Sequence, residues 1–576
     1  MLIRFKSVLS AVFLVTLSII SIGVLLYIPW ALDVNKQTLV LGGVNISRGG
    51  INLPVSFFHN SVRLSNSLIF LIGIIILAFF AFFLNRFCKR NNTKKRYQIF
   101  VWIINVLGFL FALFCLHFSM LSRSKAEVAY NSDVGNVILD SDSFQGQVYS
   151  EDGVFHNSEY LIQNSNNIFL AWLKVVINNI SNSLGIEQVY GALYFNEILA
   201  VVAIICIWFS VQKIMGMFCG FISILFSIAF ISFNSHTVAF YSDLPALSST
   251  AVMLVISIYI INFVNNDKFS TLRNWKLWFL VVVFNILWFL GYIFKPTMLF
   301  FGFATILTII IFSHKKRLLK NLLVCGILLV LFFIPVVAYN SVINSGKILA
   351  VSSERLSNAT PPASDFINMG TSGDDSKDVG GRGSYNSMVR SRDNNRNTKE
   401  AMNNADISDI KTTLSNRDFM QNFHFFFGKL TYTFSRGDFH TYDDWQVHQS
   451  PNSDYINNAK ITKEFREITV FNGLSQLIKI QNSAWGCCLI LILLQIIFSI
   501  IIKLDRNKKI FNKKIRKVYL SPIRFLGYAV LAQMIIYQFF SESRPRYLWM
   551  EVPIFIFLSL FSVGSIKALF KIELKR

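Results

Sequence analysis

Charge is what this chain of 576 residues has least of: Asp, Glu, Lys and Arg make up 15% of it, against about 25% in an average soluble domain. With 53% hydrophobic residues and a mean hydropathy of +0.50, that shortage excludes a soluble globular enzyme. Acids are the scarcer sign, 32 against 54 bases. A net charge of +22 would suggest nucleic acid in a soluble protein, but here it first suggests cytoplasmic loops, and no nucleic-acid partner is expected. Cysteine is sparse too. The seven (Cys88, Cys115, Cys206, Cys219, Cys325, Cys487, Cys488) lie in or beside apolar runs and none falls in the long polar segments, which excludes a disulfide framework outside the membrane. The sequence also lacks a P-loop, a dinucleotide fingerprint and any His/Cys metal spacing, so ATP-driven transport has no support.

What is abundant is apolar runs of membrane-spanning length. A spanning helix needs about 20 apolar residues, and runs of that kind occur near 8–32, 67–87, 99–121, 196–212, 216–234, 246–265, 277–294, 297–313, 321–340, 484–502, 520–540 and 549–566. The first, Val8 to Leu32, follows a basic start but lacks a small-residue cleavage site, so it reads as a span and not as a cleaved signal. The stretch from Leu277 to Phe312 is too long for one helix. It is divided at Lys295-Pro296, because proline breaks a helix interior and a lysine is costly at mid-bilayer. The expectation is an all-α polytopic membrane protein of about twelve transmembrane helices.

Sidedness follows from the bases. The Arg86 to Arg96 turn, the Lys268 to Lys276 turn, His314-Lys315-Lys316-Arg317 and the Lys503 to Lys517 block fall on one side if the N-terminus is cytoplasmic, as the positive-inside rule requires. Both termini are then cytoplasmic. By contrast, Ser341 to Asn482 has as many acidic as basic residues, 16 of each, and Ser122 to Tyr160 is acidic overall; both segments are expected outside. The chain divides into an N-terminal two-helix hairpin (1–98), a membrane core (99–340) whose outer acid loop covers 122–190, an extracytoplasmic region (341–483) and C-terminal membrane helices (484–576). A connection of that length is usually functional or disordered. Thr371 to Asn404 is rich in Gly, Ser, Asn and Asp and reads as irregular. Phe419 to Trp445 is aromatic enough to pack on something.

Five outer motifs could carry chemistry. Asp133 in Asn131-Ser132-Asp133-Val134-Gly135-Asn136-Val137 follows the third span; an acid there can serve as a general base if its surroundings tune it, or it is one solvated loop acid among several. Asp243 in Phe240-Tyr241-Ser242-Asp243-Leu244-Pro245 sits in a very short loop, where it can share a cavity with another loop's acid or cap the next helix. Lys295 in Lys295-Pro296-Thr297 can pair with a lipid phosphate or snorkel. In Ser541-Glu542-Ser543-Arg544-Pro545-Arg546-Tyr547-Leu548-Trp549, Arg544 and Arg546 run against the positive-inside pattern. Guanidinium forks bind phosphate bidentately, while Tyr547 and Trp549 also suit an aromatic belt. The fifth, Tyr160 to Ile168, precedes an amphipathic segment, Phe169 to Ile180, that reads as an interfacial helix.

In order and sidedness, the acid loop, Asn166-Asn167-Ile168, Phe-Tyr-Ser-Asp-Leu, Lys-Pro-Thr, Gly380-Gly381-Arg382-Gly383-Ser384-Tyr385-Asn386 and Arg-Pro-Arg-Tyr resemble the multi-pass GT-C-type glycosyltransferases of Gram-positive bacteria, distant relatives of protein mannosyltransferases and lipid A aminoarabinose transferases. The resemblance runs from about residue 99 to 566. It implies a GT-C-like core and transfer of a sugar from a polyprenyl-phosphate donor to a cell-envelope glycan, lipid or protein acceptor on the outer face of the cell membrane. It maps the catalytic acid/base onto Asp133, a second outer acid onto Asp243, and the lipid-phosphate site onto Arg544 and Arg546, with Lys295 and Tyr547 as further candidates. Two features depart from it. The acid loop follows the third span instead of the first, so the first two spans look like an added hairpin, and Asn164-Ser165 stands where the family has Tyr-Pro.

Two other readings stay open: a lipid-linked saccharide flippase or other secondary transporter, and a saccharide polymerase. A transporter is expected to place polar groups at the bilayer midplane on broken helices. A divalent cation stays open as cofactor: Asp374, Asp375 and Asp378, or Asp443 and Asp444, offer the oxygen ligands that Mg²⁺ or Mn²⁺ takes, although adjacent acids in a polar loop are more often solvated.

Overall fold

A computed structural model describes residues 40–41, 44–45, 64–90, 94–123, 137, 158–265, 274–313, 317–372, 398–434, 436–439, 461, 464, 474–504, 521–542 and 544–573. Apart from an antiparallel pairing of Val40–Leu41 with Val44–Asn45, the regular structure is helical. In chain order the helices are α1 (Leu64–Arg90), α2 (Lys94–Arg123), α3 (Glu159–Gln163), α4 (Ile168–Ser183), α5 (Gln188–Met215), α6 (Met217–Ser227), α7 (Asp243–Asn265), α8 (Trp275–Phe294) and α9 (Leu299–Phe312). They continue with α10 (Leu318–Asn344), α11 (Ser353–Ala359), α12 (Ala363–Thr371), α13 (Lys399–Ser415), α14 (Phe419–Phe434), α15 (Leu474–Leu504), α16 (Pro522–Phe540) and α17 (Val552–Glu573).

Nine helices among the described residues are long and apolar enough to cross a membrane, and two more, Met217–Ser232 and Pro296–Phe312, are apolar but shorter. These eleven coincide with all the expected spans except 8–32, which lies outside the described residues. Large apolar side chains stand outward along them, Ile69, Phe80, Trp102, Leu107, Val330 and Ile334 among them. Water would penalise that surface and lipid does not. The architecture is that of a polytopic membrane protein.

Local chemistry fixes the breaks that matter. Proline disfavours the helical conformation in the residue before it: Lys295 is extended (φ −151°, ψ 110°), α8 stops at Phe294, and a 3₁₀ turn, Pro296–Met298, leads into α9. Gly216 turns the chain between α5 and α6 at φ +97°, a conformation that side-chain-bearing residues rarely adopt.

At the centre, Trp485 of α15 is ringed by Phe230, Phe439 and Phe555 at 5.9, 5.1 and 4.6 Å between centroids. Because successive spans reverse direction, the N-termini of α5, α7, α9 and α15 share one end of the bundle with the C-termini of α2, α8, α10 and α16. The short helices gather over that end. The amphipathic segment expected at Phe169 to Ile180 is α4, which buries Ile168, Leu170, Ala171, Val175 and Ile177. The aromatic half of the long loop finds its packing partner in the bundle itself: α14 buries Phe425, Leu430 and Phe434, and its Phe426 stacks on Phe539 at the end of α16, 4.4 Å between centroids. Just beyond it, Arg436 and Asp438 form a buried ion pair, with Arg436 Nε donating to Asp438 Oδ1 at 2.8 Å.

Candidate functional site

The chemistry-bearing residues converge where α7, α8 and the 3₁₀ turn Pro545–Glu551 meet at the loop-bearing end. Asp243 is the first residue of α7 and only 2% exposed. Its Oδ1 receives a hydrogen bond from Lys295 Nζ, while its Oδ2 is buried with no hydrogen-bond partner. Lys295 therefore does not snorkel. The proline that ends α8 fixes the lysine in an extended conformation, and its side chain, 12% exposed, runs into the protein to meet the acid.

Arg546 lies across the same site, 6% exposed. Its guanidinium is 5.7 Å from the Tyr241 ring centroid and 5.6 Å from that of Tyr547, and Lys295 Nζ approaches the Tyr547 ring at 4.8 Å. Those separations suit cation–π attraction, and the two tyrosines hold both cations near Asp243. The Arg546 field reaches Asp243 and Lys295 alike. Arg544 behaves differently: its Nε lies 2.9 Å from Glu542 Oε1, and its side chain is 21% exposed. The structure thus brings Asp243, Lys295, Arg546 and Tyr547 into one cluster and leaves Arg544 at its rim, paired with an acid.

Two members of the cluster went unnoticed in the sequence. His236, 2% exposed, adds its field to Asp243; its Nε2 lies 3.4 Å from the Phe439 carbonyl oxygen and its ring 5.1 Å from that of Trp549. Glu551, also 2% exposed, has a buried Oε2 without a hydrogen-bond partner and lies within the field of Lys295. An isolated acid in an apolar span is a functional candidate by default, and that signal was present in Trp549-Met550-Glu551-Val552.

Asp133, with the acids 374, 375, 378, 443 and 444 and the Gly380–Asn386 motif, lies outside the described residues. Val137, the last residue of the Asp133 motif, is buried in the same apolar cluster as Leu161, Ile168 and Phe240, against which Tyr241 and Phe294 also pack. Asn166 and Asn167 sit at the head of α4, where Asn167 Nδ2 donates to the Tyr160 hydroxyl at 2.7 Å. Among the described residues no group of three or more His, Cys, Asp and Glu side chains is placed to hold a metal.

Beside the cluster a cavity of about 500 Å³ opens between α9, α12 and α16. Phe300, Phe303, Phe366, Ile536 and Phe540 line it, and it extends to Ser541, next to Glu542.

Comparison with protein-family models, with curated proteins and with solved structures gave no match.

Proposed function

We propose that the chain is a glycosyltransferase that moves a sugar from a polyprenyl-phosphate donor to a cell-envelope acceptor at the outer face of the membrane, on a GT-C-like core of twelve spans with both termini cytoplasmic. The observation that carries this reading is a buried acid and two buried cations, Asp243, Lys295 and Arg546, gathered beside an apolar cavity at the loop-bearing end of the bundle. A lipid-linked donor needs that combination. Its isoprenoid chain occupies apolar surface, and its phosphate, which becomes the leaving group, needs fixed positive charge that strengthens its hold as negative charge develops.

In this reading Arg546 receives the phosphate and Lys295 shares its ammonium between the phosphate and Asp243, with Tyr547 as the wall that holds both cations. Asp133 is the base that takes the acceptor hydroxyl proton. Burial of Val137 among Phe240 and its neighbours ties the end of the Asp133 motif to the segment carrying Asp243. Asp243, with one oxygen on Lys295 and the other open, accepts a hydrogen bond from the acceptor. Arg544 supports the turn through Glu542.

One observation favours the transporter reading. His117 Nδ1 of α2 lies 3.1 Å from Glu197 Oε1 of α5, and Glu197 is in the third turn of its helix, about 13 Å along the axis, where an ionisable pair in lipid marks a transport path. A single preparation separates the two. The purified protein, reconstituted in vesicles with polyprenyl-phosphate carrying a radiolabelled sugar and a cell-envelope fraction as acceptor, should move label from the lipid phase to the acceptor. Movement of intact labelled lipid between leaflets without transfer would establish the flippase instead.

A further inference from the structure

Lys429 is fully buried in α14, and its Nζ donates to three backbone carbonyls from two segments: Gly370 at 2.8 Å, Phe539 at 3.2 Å and Ser541 at 2.6 Å. The first belongs to the last turn of α12, the second to the last turn of α16, and the third to the turn that leads to Arg544 and Arg546. Helix C-termini leave carbonyls unpaired and carry partial negative charge, so one ammonium caps two helices and ties them together. Other contacts converge on the seam. Glu542 N–H donates to the Phe366 carbonyl at 2.8 Å, Arg417 Nη1 donates to the Thr371 carbonyl at 3.0 Å, and Asp406 of α13 accepts from Ser364 and Asn368 of α12 at 3.0 and 2.8 Å. Gly370 lies so close to Ser541 that an added Cβ would collide with the Ser541 backbone.

We propose that Lys429 is a positioning residue: it clamps the loop helices α12 and α14 onto the Ser541–Tyr547 turn and so sets the height of Arg546 in the donor site. The role assigned to Arg546 rests on the glycosyltransferase reading; the clamp does not. An ammonium has three N–H donors, one for each of these carbonyls. Burial pushes its pKa down to about 7, against the pull of Glu542. Other charged or titratable groups on the elements packed round it are Tyr537 of α16, Asp365 of α12, Arg417 ahead of α14, and Arg544. Releasing the clamp would return Lys429 to water and its pKa to about 10.4, so release takes up a proton and becomes harder as pH rises through neutrality.

The test is hydrogen–deuterium exchange of the full chain in lipid nanodiscs, corrected for intrinsic rates, beside donor titrations in the transfer assay. In the wild type, protection of 363–371 and 541–551 should rise between pH 6 and pH 8.5. Lys429→Met should lose at least about 10-fold of that protection at either pH, the loss expected for one charged hydrogen bond, and Lys429→Arg, which stays charged, should keep protection without a pH step. Gly370→Ala, which pushes the turn away without touching the charge, should raise the donor KM as Lys429→Met does, with a smaller effect on kcat. Unchanged protection at 541–551 in Lys429→Met would overturn the clamp. Lost protection with an unchanged donor KM would overturn the positioning role. If the wild type transfers no sugar while the protection pattern appears as described, the glycosyltransferase reading fails and the clamp stands.

Discussion

Lys295 Nζ donates to Asp243 Oδ1 at the break between α8 and α9, joining residues 52 apart in sequence whose side chains are 12% and 3% exposed. Removing one member of a buried pair strands the other charge, a loss of about 3–5 kcal/mol. Lys295→Met should accordingly lower the thermal midpoint in detergent sharply. The double variant Lys295→Met/Asp243→Asn should regain most of that stability and none of the transfer activity. A single variant as stable as the wild type would mean that the pair does not hold this end of the bundle.

The two acids are expected to separate by the size of their effect on turnover. Asp133→Asn keeps the shape and removes the proton acceptor, so turnover should fall about 10²-fold or more with donor binding intact. Asp243→Asn should cost less. A larger loss at Asp243 would exchange the two roles, and near wild-type turnover for Asp133→Asn would remove Asp133 from the chemistry.

Arginine and lysine should not be equivalent at the phosphate site. Arg546→Lys keeps the charge and loses the planar fork, which weakens donor use; Arg546→Ala should weaken it more, by about 10- to 150-fold, the worth of a charged hydrogen bond. Arg544→Ala should cost less, because Arg544 faces Glu542. Unchanged donor affinity and turnover in a folded Arg546→Ala protein would leave the arginines as interfacial anchors only.

Topology can be tested without activity. A single cysteine at Ser384, in a background without the native thiols, should react with an impermeant reagent added to intact cells. Labelling only after lysis would overturn the outward placement of 341–483.

The pH dependence of stability should follow the protonation of Lys429. Lys429 gives up its proton near 7 in the folded chain and near 10.4 in the unfolded one. Between those values the unfolded state binds the extra proton, so the Lys429 contribution makes the protein more stable as pH rises. Comparing thermal midpoints at pH 6.5 and 8.5 should show this increment in the wild type and not in Lys429→Met. A midpoint increment equal in both proteins would assign it to another group.

The sequence alone determined which parts of this protein enter the membrane, because burial of apolar residues in lipid depends on composition along a run of about 20 residues and hardly on the partners of that run. It also determined the break at Lys295-Pro296, since proline acts on its own neighbours, and it singled out Asp243, Lys295, Arg544 and Arg546 as polar residues at ends of apolar runs. Only the tertiary structure decided how these are used. That Lys295 turns inward to Asp243, that Arg546 lies between Tyr241 and Tyr547 while Arg544 takes Glu542, and that Lys429 serves carbonyls of two helices are long-range pairings, and no local pattern encodes them. Glu551 was passed over although it stands alone in an apolar run, and His236 because it lies among the small polar residues Asn234, Ser235 and Thr237, where no local pattern marks it. The physical reason is the same in every case: a helix forms from its own residues, whereas a buried charge is compensated by whatever the packing of other segments brings within reach.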